Sequence, residues 1–188
     1  MKEIILAKYG EIILKGGNRP KFEKLLIDNI KSALKNVADF KISLRQATVY
    51  VEDFDEDKTD IIVERMSKIF GLVSVTRAAV CEKTMESIKE TAFNYIGADL
   101  EKPAKFKVEA KRSDKAFPLN SVQICMELGG YILSKYHHLK VDVHNPDIIV
   151  MVEVRDKYAF IHANQIAGAG GMPVGSGGHA SILISVGI

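Results

Sequence analysis

The sequence predicts an α+β fold: a ferredoxin-like βαββαβ unit followed by a second, α/β unit. Three observations predict it. The first 80 residues read strand, helix, strand, strand, helix, strand, the order of a split βαβ arrangement. A further round of helix, strand and helix, closed by a strong hairpin, fills residues 81–167. A glycine-rich run at 168–179 then separates both units from a last apolar segment, 180–188.

The elements of the first unit follow from hydrophobic spacing and turn chemistry. Residues 4–8 are apolar enough for a buried strand. Gly16-Gly17 breaks the chain, Asn18 is positioned as an N-cap, and Pro20 sits in a first helical turn, where its missing N–H costs nothing. Phe22, Leu25, Leu26, Ile30, Ala33, Leu34 and Val37 then mark one helix face, with Lys21, Lys24, Lys31 and Lys35 on the remaining surface. Ile42 and Leu44, then Val49 and Val51, mark two short strands joined near Arg45-Gln46-Ala47. An acidic loop, 53–57, leads to a helix from Thr59 to Phe70 that Gly71 ends, and residues 72–80 form a strand.

In the second unit Thr84 caps a helix carrying Met85, Ile88, Ala92, Tyr95 and Ile96, which Gly97 ends. In the strand that follows, Phe106, Val108 and Ala110 alternate with Lys107, Glu109 and Lys111. The chain leaves that strand through Arg112, Lys115 and Phe117, turns at Pro118, and re-enters a helix at Asn120 or Ser121 with Gln123 placed for a capping box. That helix runs to Tyr136, with Val122, Cys125, Met126, Leu128, Ile132 and Leu133 as its apolar face; Gly129-Gly130 inside it points to close packing on a sheet. A short strand at 141–143 precedes a hairpin of 147–155 and 158–166 around Asp156-Lys157. His162 reads as a core or edge histidine, with a ligand or base as the other reading.

Totals bound the function. The chain has 188 residues, 47% hydrophobic and 27% charged, with a formal charge of +2. It is not a basic nucleic-acid binder as a whole, so any such role rests on local patches. No apolar run is long enough for a membrane helix, and the first residues lack the apolar core of a signal peptide. Cys81 and Cys125 stand apart, with no second Cys or His at ligand spacing, and read as free thiols of a cytoplasmic protein. The cations and helix start between Lys111 and Ser121 suit an anion such as a phosphate backbone. The same stretch also reads as a loop with solvated lysines. The glycine run reads as a linker or as a phosphate cradle, though it lacks the ending of a P-loop.

Three motifs carry a resemblance. Gly10-Glu11, Leu14-Lys15-Gly16, Asn18-Arg19 and Phe22-Glu23 resemble the opening of the tRNA 4-thiouridine synthetases, also called tRNA sulfurtransferases, a family tied to thiamine biosynthesis as well. Lys111-Arg112, Asp114-Lys115 and Phe117-Pro118 resemble the signature of that family's THUMP domain, and Gly171 to Gly178 its linker. The resemblance implies a ferredoxin-like domain at 1–80, an α/β THUMP domain at 81–167, a linker at 168–179, and the first strand of an ATP pyrophosphatase domain at 180–188. Leu183, Ile184, Ser185 and Gly187 would then be the start of an ATP-binding PP-loop, with Val186 where the family has glycine and the rest missing. A full-length member is a transferase. It uses ATP and Mg²⁺ to adenylate a tRNA uridine and takes sulfur from a cysteine desulfurase or other persulfide donor, and a homodimer is implied. The 188 residues themselves are expected to hold no catalytic residue, cofactor or metal, and to bind the 3′ acceptor end of tRNA. The candidate RNA contacts are Lys111, Arg112, Lys115 and Phe117, with Asn120 and Ser121 at the helix start. Phe117 either stacks on a base or anchors the loop. Lys15, Arg19, Lys21 and Lys24 form a second candidate patch. The alternative is a ferredoxin-like interaction or dimerisation module that binds no RNA.

Overall fold

The computed structural model describes residues 1–178 and Ile182. The strand expected at 180–188, and with it the ATP-site residues Leu183, Ile184, Ser185 and Gly187, lies outside the described residues. Four strands and two helices build the first unit: β1 (Glu3–Tyr9), α1 (Arg19–Leu34), β2 (Lys41–Arg45), β3 (Thr48–Glu52), α2 (Thr59–Ser67) and β4 (Leu72–Cys81). Their sheet order, β2-β3-β1-β4, with every neighbouring pair antiparallel, is that of the ferredoxin-like split βαβ unit. The second unit adds α3 (Met85–Ile96), β5 (Lys105–Arg112), α4 (Ser121–Lys135), β6 (Lys140–Val141), β7 (Ile148–Val154), β8 (Ala159–His162) and β9 (Gln165–Ala167).

The two units share one sheet, joined through β4. One edge of β4 pairs with β1; the other pairs with β8 at Ala79–Cys81 and with β9 at Ser74–Thr76. The strand expected at 158–166 is therefore two short strands, interrupted at Ala163-Asn164, which pair with different stretches of β4. Alternation along each strand sends one set of side chains to the helices. Ile5, Ala7, Val49, Val51 and Val75 pack under α1 and α2, while Phe106, Val150, Val152, Val154, Ala159 and Ile161 pack under α3 and α4.

The opposite face is not open water. Ile4, Leu6, Tyr50, Ala78 and Phe160 form a third buried cluster there, and the Tyr50 and Phe160 rings lie 5.8 Å apart. Their strands are three steps apart in the sheet, about 14 Å if it were flat. The rings meet because the sheet curls into a trough.

Several local expectations change. Asn18 stands at the N-terminal end of α1 but its side chain makes no capping bond, because its backbone is already helical after the preceding 3₁₀ turn. Val122 and Met126, expected inward, are 66% and 71% exposed; the buried line is Ile124, Leu128 and Ile132. Helix α4 is apolar around much of its circumference, so spacing alone does not select the face. Gly129 does face β5, but a Cβ there would sit 3.8 Å from Val108 Cγ2, an ordinary contact, and Gly130 is exposed with open space beside it. The glycine run is no free linker in its first part. Gly168 and Gly170 donate their N–H groups to Val73 and Leu72, Gly71 donates to Gly170, and Asn29 Nδ2 holds the Val174 carbonyl. A Cβ on Gly168 would overlap the Leu72 carbonyl, so this strap along the first unit requires glycine.

Candidate nucleic-acid interface

Strand β5 ends at Arg112, and the side chains there diverge. Lys111 continues the row of Lys105, Lys107 and Glu109, on the face turned away from α3 and α4. Arg112 turns the other way, and its Nη1 donates to the carbonyls of Phe117 (2.9 Å) and Leu119 (3.0 Å). Two carbonyls held by one guanidinium fix the loop as a rigid arch. Phe117 is only 5% exposed and packs in the core of the second unit, so its ring anchors the arch and is not offered for stacking. Asp114 accepts from the Ala116 N–H and pairs with Lys83 at 2.5 Å; that lysine's ammonium and the backbone N–H hold its carboxyl below the usual range.

At the end of the arch Asn120 and Gln123 form a reciprocal capping box, at 3.0 and 2.9 Å. The cap uses the Gln123 N–H and leaves those of Ser121 and Val122, at the positive end of α4, without an acceptor among the described residues. Lys115 projects from the arch, exposed, and neither it nor Lys111 has a carboxylate partner among the described residues. Of the six predicted residues in this stretch, Lys115, Ser121 and Asn120 thus share the arch. Arg112 and Phe117 build it, and Lys111 lies across the sheet from it.

The second predicted patch is also divided. Arg19 pairs with Glu23 at 2.6 Å and donates to the Tyr9 hydroxyl at 3.0 Å, which in turn donates to Glu23. Arg19 is thereby tied into the joint between β1 and α1. Lys15 lies over the Phe22 ring, 5.5 Å from its centroid, while Lys21 and Lys24 stand exposed on α1.

A charged centre that sequence reasoning missed lies inside the trough. Glu153 of β7 is 0% exposed; it receives Lys8 Nζ of β1 at 2.7 Å and Arg155 Nη2 at 2.5 Å, with His162 Nε2 at 3.6 Å. Burial alone would raise its carboxyl, but His162, Lys8 and Arg155 together hold it well below the usual range. His162, 4% exposed, is thus a core histidine beside a carboxylate brought to it by the fold. The only sequence signal was Glu153 itself, an acidic residue within a run of β-branched ones. Burial pushes the Cys81 thiol up to about 11 and raises that of Cys125, so neither is a ready thiolate.

With this geometry in place, comparison with known proteins is decisive. Residues 4–76 match the family described as the ThiI ferredoxin-like domain, and residues 82–163 match the THUMP domain. A probable tRNA sulfurtransferase from Caldanaerobacter subterraneus subsp. tengcongensis is 43% identical over 188 residues, all of this chain and 48% of its own length. The chain belongs to the tRNA sulfurtransferase family. Its two halves are the family's ThiI ferredoxin-like and THUMP domains. A probable tRNA sulfurtransferase from Macrococcus caseolyticus is likewise 43% identical, over 98% of this chain and 46% of that protein. The chain therefore spans about half the length of the curated relatives it matches. Among solved structures, a 4-thiouridine synthetase in complex with RNA and bound ATP superposes with a TM-score of 0.81 and 32% identity, covering 95% of this chain and 45% of that one. No helix among the described residues is long and apolar enough to cross a membrane.

Proposed function

We propose that the ferredoxin-like and THUMP domains of this tRNA sulfurtransferase family member form its tRNA-recognition half, gripping the 3′ acceptor end. The observation that carries this is the arch between β5 and α4. It is fixed by Arg112, Phe117 and the capping box, and it carries Lys115 on the loop that leads into α4, where neither that lysine nor the Ser121 and Val122 N–H groups have a partner among the described residues. Such an arrangement suits a phosphate: the donors are already in place, and binding orders little that is not ordered already. The solved 4-thiouridine synthetase in complex with RNA supports the same reading. Lys15, Lys21 and Lys24 supply a second phosphate contact region, and Lys111 a third.

In the longer protein this half would present a uridine to a catalytic domain. That domain would adenylate the base with ATP and Mg²⁺ and accept sulfur from a cysteine desulfurase or another persulfide donor, in the cytoplasm and as a homodimer. The described residues of this chain contribute binding and orientation to that scheme and no chemical step.

The test is tRNA binding across a salt series. Neutralising three to five phosphates gives a log–log slope of roughly −2 to −4.5. A tRNA shortened at its 3′ end should bind more weakly. Equal affinity for intact and shortened tRNA would remove the acceptor-end assignment, and no measurable binding at low salt would remove RNA recognition itself.

A further inference from the structure

The outer edge of β5 is only partly covered. The short strand β6 pairs with Lys105 and Phe106, and Asp142, which accepts from the His144 and Asn145 N–H groups, then turns the chain off the sheet. On this outer side the carbonyls of Ala104 and Phe106 accept from Lys140 and Asp142, whereas Lys105 accepts from Asp147 on the β7 side. Successive strand residues direct their backbone groups to opposite edges, so those of Val108, Ala110 and Arg112 point outward too. No strand meets them among the described residues, and the Ala110 N–H has only the Cys125 thiol beside it, a weak acceptor.

Helix α4 overhangs this edge. Its buried line of Ile124, Leu128 and Ile132 faces the core, Glu127 turns to Lys89 of α3 at 2.9 Å, and Gly129 lies over Val108 of β5. One step further round the helix stand Val122 and Met126, on the side that looks past β5. A strip of unpaired backbone thus lies under an apolar wall. On the opposite face of β5 the side chains are charged. Lys107 pairs with Glu109 at 2.8 Å, and Lys111 is exposed with no carboxylate partner among the described residues.

A second copy and a lone extended segment could each complete such an edge, and the geometry selects between them. A second copy paired antiparallel about a two-fold axis would bring its own α4 on the same face. Neighbouring strands lie about 4.8 Å apart, whereas packed helices need about 8–10 Å between axes, so the two helices would collide. A lone extended segment carries no such helix. Its side chains toward α4 meet Val122 and Met126, and those on the other face meet Lys111. We propose that the outer edge of β5 is a docking site for an extended segment of a partner protein, one that alternates apolar and acidic residues and joins the sheet as an added strand. The site stands whether or not the chain binds RNA.

The experiment follows the amide NMR spectrum of the 188-residue chain during titration with synthetic hexapeptides. One alternates valine and glutamate, and one alternates valine and lysine. Two further forms of the glutamate peptide are N-methylated on alternate residues, one along each edge. The glutamate peptide should shift the amides of residues 107–112, Val122 and Met126, and the lysine peptide should bind about tenfold more weakly. One N-methylated form should bind like the unmodified peptide and the other should not, because only one edge of the added strand faces β5. Lys111→Glu and Val122→Asp/Met126→Asp should each weaken the glutamate peptide about fivefold. These side chains are exposed, so thermal midpoints should match the parent and separate docking from folding. Absence of shifts at 107–112, equal binding of both N-methylated forms, equal binding of the lysine peptide, or variants that bind like the parent would each overturn the assignment. So would a dimer of the chain alone in sedimentation that Val122→Asp/Met126→Asp dissolves, since the edge would then belong to a second copy.

Discussion

Replacing Glu153 by glutamine keeps the shape of the side chain and removes the one negative charge at the centre of the trough. Breaking a sealed ion pair costs roughly 3–5 kcal/mol. Here the two cations are not sealed: Lys8 keeps 27% of its side-chain exposure and Arg155 18%. Both can turn toward water once the carboxylate is gone, so about 2–3 kcal/mol is expected at pH 7. For a protein of this size that lowers the melting temperature by about 5–10 °C. The pH dependence gives the sharper test. The folded pKa of Glu153 is depressed below its unfolded value of about 4.3, so its contribution is complete above roughly pH 5. As the pH falls toward the folded pKa, the contribution declines by about 1.4 kcal/mol per unit. Urea unfolding of parent and E153Q should therefore show a gap about 1–2 kcal/mol smaller at pH 3 than at pH 7. A gap that is absent at pH 7, or unchanged at pH 3, would refute the claim that a buried, ionised carboxylate ties β1 to β7.

Further expectations concern single residues. Gly130→Ala places a Cβ in open space on an exposed helix turn, so urea midpoints should report a gain of about 0.5–1 kcal/mol. Phe117→Ala empties a core position and should cost about 3–4 kcal/mol, with faster amide exchange through the arch at 113–119 as its specific sign. Lys115→Ala removes a cation that has no carboxylate partner among the described residues from a site that is otherwise rigid. It should weaken tRNA binding about equally for different tRNAs and make the salt slope shallower by about one.

The βαββαβ order was legible because each element of the first unit carries its own signal. The pattern 22-25-26-30-33-34-37 gives α1, and Gly71 ends the chain segment that follows Thr59. Long-range geometry was not legible. Nothing in Lys8 or Glu153 locally says that strands three steps apart will touch; that depends on how far the sheet curls. The arch shows the same division. Its cations, its aromatic and its cap residues were all visible, but their roles were not. Arg112 and Lys111 are neighbours in sequence and diverge because successive strand residues point to opposite faces. The α4 face was misread at Val122 and Met126 because an apolar residue signals burial only where a neighbour exists to cover it. The strap at 168–176 looked like a linker because glycine marks both a flexible chain and one pressed against another backbone.

The sharing of β4 bears on how recognition should be studied. The family descriptions divide the chain near residue 80, yet β4 runs through that boundary and gives Ala79–Cys81 to β8. A fragment of residues 82–163 would keep the residues of the arch but strip the outer edge of β8, leaving unpaired N–H and C=O groups. It would also lose Lys8, so Glu153 would remain in the trough with one fewer cation. Such a fragment should unfold at a lower temperature than the whole chain and self-associate through the bare edge as its concentration rises, which sedimentation reads directly. A fragment that stays monomeric and melts with the parent would show that the shared sheet is incidental. If instead the edge is needed, tRNA affinity measured on either half alone understates the whole. The spacing between the arch and the lysines of α1 is set by the sheet between them, and a ligand that spans both domains is read by that spacing.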